Sequence, residues 1–224
     1  MNRLVQWVLI AAAAPLAALA CPTTMTRTTG IARHEYGRLE ERAVNECQDL
    51  QRKQFIDKSY IESKVLALSA SNYISTYGAE DALYAAYWSS NDPARIRSVY
   101  DAVAAENSTT RTLDCNDPYG LCEDDVLAYA LFIESSNIFY CDTFFKLLPT
   151  SSLCNETASA NHTVTRGGAT LHELTHAIEG TADLTYRCSY QGLSPEEQVK
   201  NADNYNVGSF EYGALIRLLI IQTT

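Results

Sequence analysis

Apolar residues recur at the spacing of an α-helix through residues 47–106. The clearest signal begins at Asp92-Pro93, an N-cap residue followed by a proline that suits the first helical turn. The apolar face of that helix is formed by Ile96, Val99, Tyr100 and Val103. The pattern predicts a helical N-terminal half.

An earlier helix is predicted to carry an apolar face, formed by Ile61, Val65 and Leu68. Between the two helices stands an aromatic cluster, made of Tyr84, Tyr87 and Trp88. We expect this cluster to pack between the helices; a ligand-binding role is the alternative.

The pattern changes to that of short strands after residue 110. Val126–Phe132 and Ile138–Phe145 are rich in β-forming residues, and polar residues separate them, which predicts a β-hairpin. Helical spacing returns between Gly168 and Gly180. A last helix begins at Ser194-Pro195, where the spacing of Ser194 and Glu197 is that of a capping box. The predicted fold is α+β, mainly helical, with a small antiparallel sheet beside the helix that begins near Gly168.

The first twenty residues have the pattern of an export signal. Arg3 precedes an apolar run that ends in Ala18-Leu19-Ala20, a signal-peptidase pattern. The alternatives are a membrane anchor, for which the run is marginally short, and lipid attachment at Cys21. We expect a secreted, extracellular protein, whose disulfide bonds could form after export.

The chain is expected to divide into three parts: a signal peptide at 1–20, a short pro-segment or leader remnant at 21–46, and one domain at 47–224. Hydrophobic residues make up 46% of the chain and charged residues 20%, as in ordinary globular proteins. The formal net charge of −10 disfavours nucleic acid and anionic lipid as partners and favours basic ligands. We expect no nucleic-acid partner, no stable membrane association and a monomer.

The chemistry is concentrated in His172-Glu173-Leu174-Thr175-His176. On a helix, residues i and i+4 share one face, so both imidazoles can reach one metal ion. Glu173 is offset by one residue, which places its carboxylate beside the metal as a base for a metal-bound water. The alternative is a solvated helix face with two histidines that bind nothing.

A catalytic zinc ion needs a third protein ligand and an open position. No histidine follows His176, which leaves a carboxylate or a cysteine. Gly180 allows the chain to turn back towards the helix, so Asp183 is the first candidate. Glu179 and Cys188 are the alternatives.

The set His172-Glu173-x-x-His176 with Gly180-Thr181-x-Asp183-x-x-Tyr186 resembles the aspzincin, or deuterolysin, family of secreted fungal zinc metalloendopeptidases. The resemblance covers roughly residues 47–212. It extends to further segments, which are 115–122, 126–129, Cys141-Asp142, Thr170-Leu171 and 201–205.

The resemblance implies a zincin-like metalloprotease domain that binds one zinc ion per chain and cleaves proteins or peptides, with basic proteins favoured. The implied zinc ligands are His172, His176 and Asp183, with Glu173 as general base. It also implies that Asp203 orients a ligating histidine and that the Tyr186 hydroxyl donates to the oxyanion.

Seven cysteines are present, and the resemblance implies two pairs, Cys47 with Cys115 and Cys122 with Cys141. Cys154 would pair with Cys188 or remain free, and Cys21 is unassigned. Three glycosylation sequons begin at Asn107, Asn155 and Asn161.

Three positions depart from the family pattern. Phe145 stands where the family often has a catalytic tyrosine, Arg187 replaces a glycine, and Asn206 replaces an acidic residue that supports lysine specificity in some members. We therefore expect no strict lysine specificity. The alternative function is a catalytically impaired, secreted zinc-binding paralogue that acts as an interaction protein.

Overall fold

The computed structural model describes residues 43–131, 137–154, 164–186 and 192–209, with the side chains of 153 and 154 excepted. Predictions for the signal peptide, most of the pro-segment, Asn155, Asn161, Arg187 and Cys188 lie outside the described residues, as does the Cys154 side chain.

Helix α1 (Leu50–Tyr77) is the longest described element. Asp49 caps its N-terminus by accepting hydrogen bonds from the first-turn amides, and Gly78, at φ 68°, ends it. The predicted apolar face is only partly buried. The buried face is rotated from it and contains Ile56, Tyr60, Ser63, Lys64, Ala67 and Ala70.

This rotated face is partly polar because its polar groups find partners within the protein. The Ser63 hydroxyl donates to the Tyr60 carbonyl at 2.7 Å, and Lys64 Nζ donates to the Glu106 carbonyl at 2.5 Å. The buried face of α1 that apolar periodicity predicts is therefore wrong, because periodicity does not take account of buried polar residues that are hydrogen-bonded.

Helices α2 (Ala82–Trp88) and α3 (Pro93–Ala104) follow, each capped by an aspartate, Asp81 and Asp92 respectively. All four apolar positions predicted for α3 are buried. The three aromatic residues of α2 are buried too, and Trp88 packs against Tyr100 and Tyr205 with ring centroids 6.5 and 4.7 Å away. The aromatic cluster is therefore a core element between helices, as predicted.

The sheet has the order β1-β2-β4-β3, with β1 at Val44–Asn45, β2 at Thr112–Asp114, β3 at Ala128–Leu131 and β4 at Asn137–Tyr140. The predicted hairpin is present as the antiparallel pair β3–β4. The sheet is mixed rather than wholly antiparallel, because β1–β2 and β2–β4 are parallel. Helices α1 to α3 form the crossover that lets β2 return parallel to β1.

Strand β1 lies on the N-terminal side of the predicted domain boundary at residue 47. Its neighbour Ala43 is 2% exposed and belongs to the hydrophobic core. The folded domain therefore includes residues 43–46, which the sequence interpretation had assigned to the pro-segment.

Two disulfide bonds tie the sheet region together. Cys47 is bonded to Cys115, and Cys122 is bonded to Cys141, which are the pairs that the family resemblance implied. The first bond links the start of α1 to the end of β2, and the second links the loop before β3 to the end of β4.

The remaining elements carry the candidate site. They are two 3₁₀ turns (Phe144–Lys146 and Thr150–Cys154), helix α4 (Arg166–Glu179), helix α5 (Pro195–Lys200) and helix α6 (202–209). The capping box predicted for α5 is formed, with Ser194 and Glu197 bonded reciprocally. No helix within the described ranges has the length and apolar character needed to cross a bilayer.

Candidate metal centre

Helix α4 carries the two histidines and is anchored firmly at its N-terminus. Arg166 donates through Nε and Nη2 to the Glu62 carboxylate of α1, with an Nη2–Oε1 distance of 2.6 Å. Thr150 donates to the same carboxylate through its backbone N–H and its hydroxyl. A Cβ at Gly167 would lie 2.7 Å from the Glu62 Cβ, so only glycine allows this approach of α4 to α1.

The imidazoles of His172 and His176 meet on one face of α4, as the i, i+4 spacing predicts. Their Nε2 atoms lie 3.0 Å apart, and both residues are less than 10% exposed. Helix α4 ends at Gly180, whose φ of 65° and ψ of 33° place it in the left-handed region. This turn sends the chain back along the histidine face.

The turn brings Asp183 to both histidines. Its Oδ1 lies 2.8 Å from His172 Nε2 and 3.2 Å from His176 Nε2. In the described part of the chain, these three residues form the one group of His, Cys, Asp or Glu side chains that converges like a metal site. Glu179 is exposed and does not join them, while Cys188 lies outside the described residues.

The donor set fits a zinc ion. Two imidazole nitrogens and one carboxylate oxygen are ligands that catalytic zinc sites use, and three ligands leave a position open. A tetrahedron with Zn–N bonds of about 2.0–2.1 Å has edges of about 3.4 Å. The three observed edges of 2.8, 3.0 and 3.2 Å would need to widen by only a few tenths of an ångström.

The second ring nitrogen of His176 has a fixed partner. Its Nδ1 lies 2.8 Å from the Thr181 carbonyl oxygen, which can only accept a hydrogen bond. Nδ1 therefore carries the proton, and the Nε2 lone pair is left to face Asp183 and His172. The Thr181 hydroxyl lies 3.1 Å from the same Nδ1 and 2.8 Å from the Thr175 hydroxyl.

Asp203 of α6 lies on the other side of His172. Its Oδ1 is 3.8 Å from His172 Nδ1, an electrostatic contact rather than a short hydrogen bond. Burial lowers the pKa of His172, but the facing carboxylates of Asp183 and Asp203 outweigh it and raise that pKa to about 10. Asn206 donates from Nδ2 to the Asp203 Oδ1 at 2.9 Å, so it touches the site through Asp203.

Glu173 is buried in α4 at 6% exposure. Burial raises the pKa of its carboxyl, against the lowering effect of His172 and His176. Within the described residues, its carboxylate accepts no hydrogen bond. The carboxyl of Glu173 is therefore buried and lies close enough to His172 and His176 to interact with their charge.

Tyr186 follows Asp183 in the return loop and is 57% exposed. Its ring stacks over that of His172, with centroids 6.2 Å apart and an angle of 16° between the planes. Burial and the charge of Asp183 raise the pKa of Tyr186 to about 12, so its hydroxyl keeps its proton at neutral pH. The hydroxyl is therefore able to donate a hydrogen bond at the rim of the site.

Comparison with known proteins places this cluster in a family. The profile of the aspzincin M35 family, described as lysine-specific metallo-endopeptidase, matches residues 73–207, which include every candidate site residue above. The chain belongs to the aspzincin family.

Curated relatives include neutral protease 2 of Aspergillus oryzae, 36% identical over 118 residues, which are 50% of this chain and 31% of that protein. A neutral protease 2 homolog of Aspergillus clavatus is 38% identical over 120 residues, which are 50% of this chain and 32% of that protein. The match thus spans about a third of the length of these relatives. A zinc peptidase from Grifola frondosa shares the fold, with a TM-score of 0.58 and 18% identity over 73% of this chain and 96% of that one.

Proposed function

We propose that this aspzincin is a secreted zinc-dependent endopeptidase that hydrolyses peptide bonds in proteins. The observation that carries the proposal is the convergence of His172, His176 and Asp183 next to the buried carboxylate of Glu173. We assign the first three residues as ligands of one zinc ion and Glu173 as the general base.

A bound zinc ion would supply a Lewis acid and lower the pKa of a coordinated water to about 7. The chain's own residues would do the rest. The Glu173 carboxylate accepts a proton from the attacking water and returns it to the leaving amine. Asp203 holds His172 in orientation, and the Tyr186 hydroxyl donates to the oxygen that gains negative charge.

Strand β3 gives the substrate a place to lie. In the described part of the chain it is the last strand in the order β1-β2-β4-β3, so one of its edges has no partner strand there, and α4 packs against it. An extended peptide can add to such an edge through backbone hydrogen bonds. The scissile carbonyl would then pass the histidine face of α4.

Charge supports a preference for basic substrates. The chain carries a formal net charge of −10. The charged residues that line a cleft beside the hairpin are mostly acidic: one is Lys146, and the others are Asp117, Glu123, Asp124 and Asp142. Asn206 is uncharged, so we propose no strict specificity for lysine. The two disulfide bonds support secretion, and we propose that the protein acts as a monomer.

The test is digestion of casein and histone by the purified full chain, with zinc analysis of the same sample. We expect about one zinc per chain, cleavage that a chelator abolishes, and recovery when zinc is returned. The Glu173→Gln variant should retain zinc and lose cleavage. A wild-type chain that holds one zinc and cleaves neither protein would overturn the proposal.

A second candidate is a zinc-binding protein with impaired turnover. The observation that favours it is Phe145, whose ring packs on Phe55 at 5.7 Å and lies 4.6 Å beneath the Arg52 guanidinium. Phenylalanine carries no hydroxyl, so it cannot donate a hydrogen bond there. Zinc binding without cleavage in the same experiment would establish this candidate instead.

A further inference from the structure

The loop that carries Asp183 is held along its length by the junction between α5 and α6. Ala182 and Asn201 form a parallel β-bridge. Ala182 donates its N–H to the Lys200 carbonyl at 2.7 Å, and its own carbonyl accepts from the Ala202 N–H at 3.0 Å. Both the N–H and the carbonyl of Ala182, the residue before Asp183, are therefore hydrogen-bonded to the junction between α5 and α6.

The residues after Asp183 are held by a side chain. Asn201 Oδ1 accepts hydrogen bonds from the backbone N–H groups of Leu184 and Thr185, at 3.0 and 3.2 Å. Asn201 itself is 0% exposed. Asn201 Nδ2 donates to Asn204 Oδ1 at 2.8 Å, and Asn204 Nδ2 donates to the Tyr87 carbonyl at 3.0 Å. The chain of contacts runs from the core helix α2 to the loop.

Asp183 depends on this support more than the histidines do. His172 and His176 project from a buried, regular helix, whereas the Asp183 side chain is 43% exposed. In the absence of regular structure at 183, its backbone position is set by the contacts of 182, 184 and 185. These residues make four hydrogen bonds: the two of Ala182 go to the backbone of Lys200 and Ala202, and those of Leu184 and Thr185 both end on the Asn201 side-chain oxygen.

We propose that Asn201 is the positioning residue for the aspartate ligand: its amide oxygen fixes the loop so that the Asp183 carboxylate points at the two imidazoles. The proposal rests on the metal site of the proposed function. Groups that orient metal ligands typically change metal affinity by about 10–100-fold when they are removed.

The test compares two matched variants of the full chain, Asn201→Ala and Asn204→Ala. Both residues are fully buried amides that share one hydrogen bond, so both variants lose packing and that bond. Only Asn201→Ala also removes the acceptor for Leu184 and Thr185. Zinc affinity, measured by competition with a chelator below both melting temperatures, should fall at least about 10-fold more in Asn201→Ala than in Asn204→Ala.

A double-mutant cycle with Asp183→Ala, in which zinc affinity is measured, tests whether Asn201 acts through Asp183. In that background, Asn201→Ala should change zinc affinity less than about 2-fold, because the ligand that it positions is gone. Rescue is expected from Asn201→Asp, which retains an oxygen acceptor at the same place. If Asn201→Ala does not fold, Asn201→Ser carries the comparison, since its shorter side chain cannot reach both N–H groups.

The outcomes separate this inference from the proposed function. A wild-type chain that binds no zinc refutes the metal site itself. A wild-type chain that binds zinc, with equal losses in Asn201→Ala and Asn204→Ala or an undiminished loss in the Asp183→Ala background, refutes the positioning role alone.

Discussion

The Asp183 carboxylate oxygen lies 2.8 Å from His172 Nε2, across the glycine turn that ends α4. The same oxygen lies 3.2 Å from His176 Nε2. Burial raises the pKa of Asp183, but the adjacent imidazoles of His172 and His176 outweigh it and hold that pKa well below its usual range. These contacts bring the three side chains together in an arrangement that can hold a metal ion.

Replacing the aspartate should disable metal binding. We expect Asp183→Asn to lower zinc affinity more than about 100-fold, because it removes the anionic oxygen of a direct ligand. Glu179→Gln is the matched control, since Glu179 is an exposed carboxylate at the end of the same helix. Zinc affinities of both variants, measured by chelator competition, check this. Equal affinities would remove Asp183 from the ligand set.

Replacing the buried glutamate should separate chemistry from metal binding. We expect Glu173→Gln to lower kcat for casein by about 10²–10⁴-fold, the range typical of losing a general base. Zinc content should stay at one per chain, because Glu173 is not among the converging donor atoms. A variant that retains more than a tenth of wild-type kcat would show that another group takes the proton.

The anchor of α4 should contribute measurably to stability. We expect Glu62→Gln to lower the free energy of unfolding by about 2 kcal/mol, since it weakens several charge-assisted hydrogen bonds at a mostly buried carboxylate. The control is Asp142→Asn, which breaks the exposed Arg52–Asp142 pair and should change stability by less than about 1 kcal/mol. Urea unfolding measures both. A larger loss in the control would mean that the Glu62 cluster does not anchor the helix.

The two disulfide bonds should contribute unequally. Cys47–Cys115 spans 68 residues and Cys122–Cys141 spans 19. If restriction of the unfolded chain dominates, replacing the first pair by serines should destabilise the protein by about 1 kcal/mol more than replacing the second. Denaturant unfolding of the two double variants gives the comparison. The reverse order would indicate that native-state contacts at the hairpin dominate.

Local signals in the sequence were enough to predict several elements. Asp92-Pro93 and Ser194-Pro195 mark helix starts that the structure has, and Gly180 ends α4 as predicted. The spacing of His172 and His176 predicted their shared face because helix geometry alone determines it. Helix geometry alone does not favour Asp183 over Glu179 as the third ligand. The glycine at position 180 does, because it predicts that the chain turns back towards the histidines.

Features that depend on distant parts of the chain were missed. The parallel strands β1 and β2 pair across three helices, and the buried face of α1 is defined by partners such as Glu106. Asn201 lies in segment 201–205, which resembles the family, but the resemblance implies no role for it. Its contact with the Asp183 loop joins segments 16 and 17 residues apart through a side chain, which no periodicity reveals.

X-ray absorption at the zinc edge of the loaded full chain tests the ligand set most directly. We predict two imidazole nitrogens at about 2.0–2.1 Å and oxygen ligands at about 2.0–2.2 Å, with no sulfur. A sulfur shell at about 2.3 Å would place a cysteine such as Cys188 on the metal in place of Asp183 and contradict the account.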